Sequence, residues 1–343
     1  MLHRNSIRKI SYHALRLVPF KTLLKYSKQN VIFPFYHLVS DNPPTHVRHL
    51  YKTISSAQFE NDLDFLLKYY APGTIDDTLK YTNTKKRNSK PFFFLSFDDG
   101  MRECYDIIMP ILKRKGISAA FFINSNFVNN NELFHKHKCS LLIEALNNTA
   151  NKDKIVAVQQ ILKISQNDIF HLSKKIRTLN YFDQKIINEL ATILEINFDD
   201  YLAANKPYMT LEQIKDLSDM GFTIGMHSID HPEFYLIDEK KMKEQTEGCL
   251  SYLENQLGIQ NRYFAFPFTD DQTPGSFFNY LYYKINIDLS FGTAGLKNDV
   301  EPKHLQRIPL EVDEYNGAGE IIRAEYSYYL AKALLAKNRV VRQ

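Results

Sequence analysis

Tryptophan is absent from these 343 residues, and cysteine occurs only three times. Cys104, Cys139 and Cys249 stand far apart and outside any ligand spacing, which excludes a disulfide framework or a thiolate metal centre and leaves reduced, structural thiols. No apolar run approaches the roughly 18 residues that a membrane span needs, and the N-terminus lacks an apolar signal-peptide core. The cytoplasm is therefore the default compartment. A strong charge excess is lacking too: 43 basic and 39 acidic residues leave a formal net charge of +4, which makes no case for a nucleic-acid partner. Basic residues gather from Arg4 to Lys28 and from Lys332 to Arg342. These read as solvated termini, with an anionic surface as the alternative. The amphipathic character of Ile10 to Leu24, with Arg16, Lys21 and Lys25, leaves peripheral membrane contact open.

Aromatic residues are abundant: 24 Phe and 21 Tyr in a chain that is 44% hydrophobic and 24% charged point to a globular protein with a large core. The most informative segment is Pro91-Phe92-Phe93-Phe94-Leu95-Ser96-Phe97, which stops at Asp98-Asp99-Gly100. Such a run reads as a strand buried on both faces of a parallel sheet, and such sheets bind ligands beyond their carboxyl ends. Two carboxylates at the rim of an apolar core need a partner, a metal or a shifted pKa. The plain alternative is a solvated turn in which Asp98 or Asp99 caps the next helix. Other strands end in similar chemistry. Gly221–Met226 runs into His227-Ser228-Ile229-Asp230-His231-Pro232, Arg262–Phe266 into Pro267-Phe268-Thr269-Asp270-Asp271, and Val31–Tyr36 into His37. Pro232 disfavours helical geometry at His231, so the two imidazoles sit on a loop.

Helical spacing marks 56–69, 102–115, 210–220, 238–257 and 320–337, and short apolar segments mark further strands at 118–123, 288–292 and 306–312. Residues 82–90 form a polar connector. Residues 129–205 contain no glycine and show helical periodicity in three stretches, so they form a helical insertion, since compact domains seldom carry structureless loops that long. The expected organisation is an N-terminal basic helical segment (1–30), a first part of a barrel (31–128), the insertion (129–207), a second part (208–312) and a C-terminal helix (313–343). The fold class is α/β, a distorted or incomplete (β/α) barrel with about seven parallel strands, because the chemistry comes from at least three strand ends.

Two neutral imidazoles and one carboxylate make a facial divalent-metal site with open positions. Zinc accepts it most readily, and cobalt, nickel and iron are alternatives. Ser96-Phe97-Asp98-Asp99-Gly100 resembles the first motif of the polysaccharide deacetylases of carbohydrate esterase family 4, and His227-Ser228-Ile229-Asp230-His231-Pro232 is similar to their second. Phe264-Ala265-Phe266-Pro267-Phe268 resembles the third. The resemblance spans residues 31 to 310 outside the insertion. It implies Asp98 as general base, Asp99, His227 and His231 as metal ligands, and Pro267-Phe268 as the oxyanion and substrate element through the Phe268 amide. It also implies an acetylated saccharide, a cell-surface polysaccharide or its precursor, as substrate.

The chain departs from the family pattern at two places. Ala265 stands where many members carry the arginine that orients the base, with Arg262 and Arg307 as candidate substitutes. The late Leu-x-His motif of the general acid is missing. His37 fits the circularly permuted type, in which the acid follows the first strand, and is favoured over His304. Pro34 beside it implies an edge or seam strand. Three other readings stay open: an amide or imide hydrolase for a small molecule, a non-catalytic metal- or carbohydrate-binding module, and an iron oxygenase, in which the second Asp has no job. The insertion is a substrate lid, an oligomer contact or a membrane-facing platform.

Overall fold

The computed structural model describes residues 10–84, 90–166 and 168–342. The apolar runs form parallel strands: β1 (Val31–Ile32), β2 (Pro34–Tyr36), β3 (Ala71–Pro72), β4 (Phe92–Phe93), β5 (Leu95–Phe97), β6 (Ala119–Ile123), β7 (Thr223–Met226), β8 (Tyr263–Ala265), β9 (Leu289–Gly292), β10 (His304–Gln306) and β11 (Ile308–Pro309). Eight of them make one sheet in the order β10-β9-β8-β7-β6-β5-β2-β11. The two ends of that order are separated in the chain by Arg307 alone. Residues 304–309 therefore pair with β9 on one side and β2 on the other, and the sheet curls into a nearly closed barrel. The expected count of about seven strands becomes eight because this one is split at Arg307. Pro34 lies opposite Ile308 at that seam, where only two residue pairs join the strands and its missing N–H is tolerated. At the amino end of the barrel, β1, β4 and β3 form a three-stranded parallel sheet.

Side chains alternate across each strand, which sorts them into two layers. Phe33, Phe94, Ala120, Phe122, Tyr263, Ala265, Leu289, Phe291 and Leu305 fill the barrel, whereas Tyr36, Leu95, Phe97, Ala119, Phe121, Ile224 and Phe264 pack against the surrounding helices. Both faces are buried, so the strand sequences are continuously apolar. Gly225 is required by this packing, because a Cβ there would meet Phe122 at 2.5 Å. Continuing the inward parity past the strand ends gives His37, Asp98, His227 and Arg307, and this alternation gathers groups distant in sequence at one rim.

Helices cover the outside. The helix Leu211–Asp219 starts at a capping box in which Thr210 Oγ1 accepts from the Gln213 amide and the Gln213 side chain accepts from the Thr210 amide. Several elements depart from the sequence reading, among them the helices Thr45–Arg48 and Gly275–Tyr283, which it did not mark, and the last strand, which starts at His304 and not at 306. β3 is too short to show a period. The helix Ile75–Thr84 includes residues 82–84, which the reading assigned to a connector, while 85–89 lie outside the described residues. Its start is legible in hindsight: Thr74 Oγ1 accepts from the Asp77 amide at 3.1 Å, and Asp77 accepts from the Thr74 amide at 2.9 Å.

Between residues 129 and 207 five α-helices are described, His135–Asn148, Lys152–Leu162, Ile169–Arg177, Gln184–Leu194 and Phe198–Asn205. They bury a core of their own around Leu142, Leu146, Val158, Leu172, Ile176, Ile187 and Leu190. The helix Phe20–Ser27 packs beside Ala318–Leu334 through Phe20 and Tyr326, whose ring centroids lie 5.4 Å apart. Residues 1–9 of the basic N-terminal segment lie outside the described residues. Among the described residues no helix is long and apolar enough to cross a membrane.

Candidate active site

Asp98 points inward from the end of β5 and meets Arg307, which closes the barrel. The two guanidinium nitrogens donate to the two carboxylate oxygens at 2.7 Å each. Arg307 is fully buried, lies 4.2 Å from the Phe35 ring centroid and also donates to Ser96 Oγ at 3.1 Å. Burial alone would raise the pKa of Asp98, but the Arg307 charge and hydrogen bonds, together with the nearby His227 and His37, outweigh it and hold the carboxyl below its usual range. Of the two candidate arginines, Arg307 is therefore the one that meets Asp98. Arg262 does not reach it: its side chain pairs with Glu254 at 2.8 Å and with the Ile285 carbonyl at 2.7 Å.

Asp99, His227 and His231 converge beside Asp98. His231 Nε2 lies 3.2 Å from Asp99 Oδ1 and 3.1 Å from His227 Nε2, and His227 Nε2 lies 3.5 Å from Asp99 Oδ1. The third side of the group reaches Asp98 Oδ2, 3.9 Å from His227 Nε2. His227 Nδ1 donates to the Ala265 carbonyl at 2.8 Å, which leaves the Nε2 lone pair facing the cluster. Burial lowers the His227 pKa to about 4, so the ring is neutral at physiological pH. Asp99 Oδ1 is buried without a hydrogen-bond partner. An orphaned carboxylate oxygen facing two imidazole nitrogens is the donor set of a divalent cation, and these three ligand atoms lie within 4.8 Å of one another. The residues fit a metal.

The backbone here is strained. Asp99 (φ 70), Ser228 (φ 76), His231 (φ 60) and Phe268 (φ 55) all adopt the left-handed region although none is glycine. Such residues persist only where the surroundings over-determine them, and they cluster at functional sites. Ser228 Oγ accepts from the His231 amide at 3.0 Å and from Asn124 Nδ2 at 3.2 Å, which holds the histidine loop. The His231 ring is flanked by Phe134 and Phe268, with centroids 4.5 and 4.7 Å away.

His37 faces the same cavity from the end of β2 and stacks near Tyr51, at 5.0 Å between centroids. Its Nδ1 donates to Glu311 Oε2 at 2.5 Å, and the amides of His37 and Leu38 donate to the same carboxylate at 2.8 to 3.0 Å. Burial would lower the His37 pKa, but the Glu311 charge and hydrogen bond, with smaller contributions from the Asp99 and Asp98 charges, reverse this and raise it to about 9. Glu311 was not singled out in the sequence, although it follows Arg307 on the inward parity of the last strand. His304 is placed elsewhere. It is buried in a closed network, 2.6 Å from Ser290 Oγ and 3.1 Å from Asp270 Oδ2, and does not line this cavity.

Pro267 and Phe268 follow β8. Phe268 lines the cavity and is 36% exposed, and its amide has no backbone partner among the described residues. The cavity, about 760 Å³, is lined by His37, Tyr51, Asp98, Asp99, His227, His231 and Phe268, with Phe134, Lys136 and Arg177 contributed by the insertion. Those last three carried no signal in the sequence, because helical periodicity marks the faces that bury and not the residue that reaches a distant site.

Fold and site together define an α/β barrel that gathers an arginine-paired carboxylate, a histidine–glutamate pair and a candidate cation cradle at one rim. A family model described as polysaccharide deacetylase matches residues 85–274, more than half of the chain and inclusive of all three motifs. The chain belongs to the polysaccharide deacetylase family. Among solved structures it is similar to the Streptococcus pyogenes deacetylase PplD in complex with acetate, at 13% identity over 83% of this chain and 94% of that one, TM-score 0.53. It is also similar to IcaB from Ammonifex degensii, at 17% identity over 88% and 97%, TM-score 0.54. A third similar structure is a de-N-acetylase from Aggregatibacter actinomycetemcomitans, at 14% identity over 86% and 99%, TM-score 0.50. At these identities the likeness shows the shared fold. No curated protein matches the chain.

Proposed function

We propose that this protein is a metal-dependent hydrolase that removes acetyl groups, N- or O-linked, from a saccharide of the cell surface or its precursor. The observation that carries the reading is the Asp99, His227 and His231 cradle beside an Asp98 held ionised by Arg307. When bound, a divalent ion supplies Lewis acidity that polarises an acetyl carbonyl and eases deprotonation of water. Zinc suits the nitrogen-rich donor set best, with cobalt, nickel or iron as alternatives.

Asp98, with both oxygens fixed by Arg307, accepts the proton of the attacking water. The Phe268 amide, free of a backbone partner, donates to the developing oxyanion, a contribution of about 3 to 4 kcal/mol for a well-placed donor. His37, kept protonated by Glu311, donates to the departing nitrogen or oxygen. This supports the permuted placement of the acid on the first strand. The exposed Phe268 face and a cavity of about 760 Å³ suit a sugar ring. Peripheral contact with an anionic membrane belongs to the same reading, supported by exposed Leu17 and Ile10 next to Arg16, Lys21 and Lys25. The test is acetate release from a panel of acetylated oligosaccharides, before chelation, after chelation and after zinc is restored. Release that needs zinc supports the reading. No release from any saccharide in the zinc-loaded state contradicts it.

A further inference from the structure

The end of the chain enters the frame of the active site at Arg342. The basic stretch from Lys332 reads in sequence as a solvated terminus, yet the Arg342 side chain is 5% exposed. It donates to Asp270 Oδ2 and Asp299 Oδ2 at 2.6 Å each, to Asp299 Oδ1 at 3.0 Å and to the Asp270 carbonyl at 3.0 Å, and its guanidinium lies 4.1 Å from the Phe278 ring centroid. The tail leading to it is held by Asn298, whose amide donates to the Asn338 carbonyl and whose carbonyl accepts from the Val340 amide. Val340 lines the catalytic cavity.

Asp270 lies two residues beyond Phe268. Its carboxylate also accepts from the Thr293 amide at 3.1 Å and from Gln306 Nε2 at 2.8 Å, and contacts His304 Nε2 at 3.1 Å. It thereby ties the Phe268 turn to β10, to the loop after β9 and to the tail. Asp270, Asp299 and His304 have the spacing of a cation site, but the Arg342 guanidinium already supplies the positive charge between the two carboxylates. A protein cation holds this place. Phe268 sits in the left-handed region, a conformation that relaxes unless its flanks are fixed.

We infer that Arg342 is a positioning residue: through Asp270 it holds the strained Phe268 turn so that the Phe268 amide faces the acetyl oxygen. This rests on the oxyanion role given to Phe268 above. The experiment uses the full chain loaded with zinc, comparing wild type, Arg342→Ala, Arg342→Lys and Asp270→Asn on an acetylated chito-oligosaccharide and on the saccharide that the wild type cleaves fastest. Losing a whole oxyanion donor costs about 100- to 1,000-fold in kcat, so Arg342→Ala is expected to lose about tenfold or more with KM changed less than about threefold. Zinc affinity should not change, and Arg342→Lys should recover part of the loss. Added guanidinium should restore Arg342→Ala where sodium chloride of equal ionic strength does not, a response that loss of folded protein would not give. Hydrogen exchange within 266–271 should accelerate in Arg342→Ala and Asp270→Asn without spreading to 92–101. Full kcat in Arg342→Ala, or unchanged exchange in 266–271, overturns the inference while leaving the hydrolase reading intact. An inactive wild type overturns that reading instead, and with it the role of Arg342.

Discussion

Replacing Glu311 by Gln should move the basic limb of the pH–rate profile. The His37 pKa stands at about 9 against an ordinary 6.5 because Glu311 overcomes the effect of burial. Gln keeps the shape and an acceptor but removes the charge, and burial, the largest influence, then opposes only the weaker pull of Asp99 and Asp98, so the pKa should fall back to about 6.5. The change of about 2.5 units corresponds to about 3.4 kcal/mol between the two protonation states. At pH 8 the acid would drop from about 90% protonated to about 3%, so activity at pH 8 relative to pH 6 should fall about 20-fold. The assay is kcat/KM for acetate release by zinc-loaded protein from pH 5 to 10. The same interaction contributes to stability. A raised pKa stabilises the fold fully below about 6.5, and this is lost as pH rises through about 9. The pH-dependent part of the destabilisation by Glu311→Gln should therefore be greatest at pH 6 and vanish near pH 9.5, which thermal melts check. A basic limb that stays where it is in the variant would refute the Glu311–His37 pairing as the source of the acid.

The remaining predictions concern the base and the cradle. Asp98→Asn should bind zinc with unchanged stoichiometry and lose turnover, whereas His231→Ala should lose both, as read by elemental analysis and acetate release. Arg307→Met strands a buried carboxylate and should destabilise the fold by about 3 to 5 kcal/mol, with most of that recovered in the Asp98→Asn/Arg307→Met double variant, as measured by denaturant unfolding. Zinc at about 100 times its Kd should stabilise the wild type by about 2.7 kcal/mol, an effect absent from His231→Ala melts.

The barrel was legible because burial on both strand faces writes continuous apolar runs such as Pro91–Phe97, and the cradle because polar residues stand at the ends of those runs. The arginine that meets Asp98 could be narrowed only to two residues. Choosing Arg307 over Arg262 requires knowing that the last strand crosses the seam with Arg307 facing inward. Glu311 and Arg342 escaped for a similar reason: each acts through a partner more than 70 positions away, His37 or Asp270, and no local period records such a pairing. Phe134 reaches His231 from the insertion, whose sequence reveals its own helices but not where they dock.

The most direct measurement is anomalous diffraction from crystals of the zinc-loaded protein. A single strong peak about 2.0 to 2.2 Å from an Asp99 oxygen and from Nε2 of both His227 and His231, with Asp98 outside the coordination sphere and still paired with Arg307, is the expected result. A cation bound elsewhere, or held by Asp98 in place of Asp99, would contradict it.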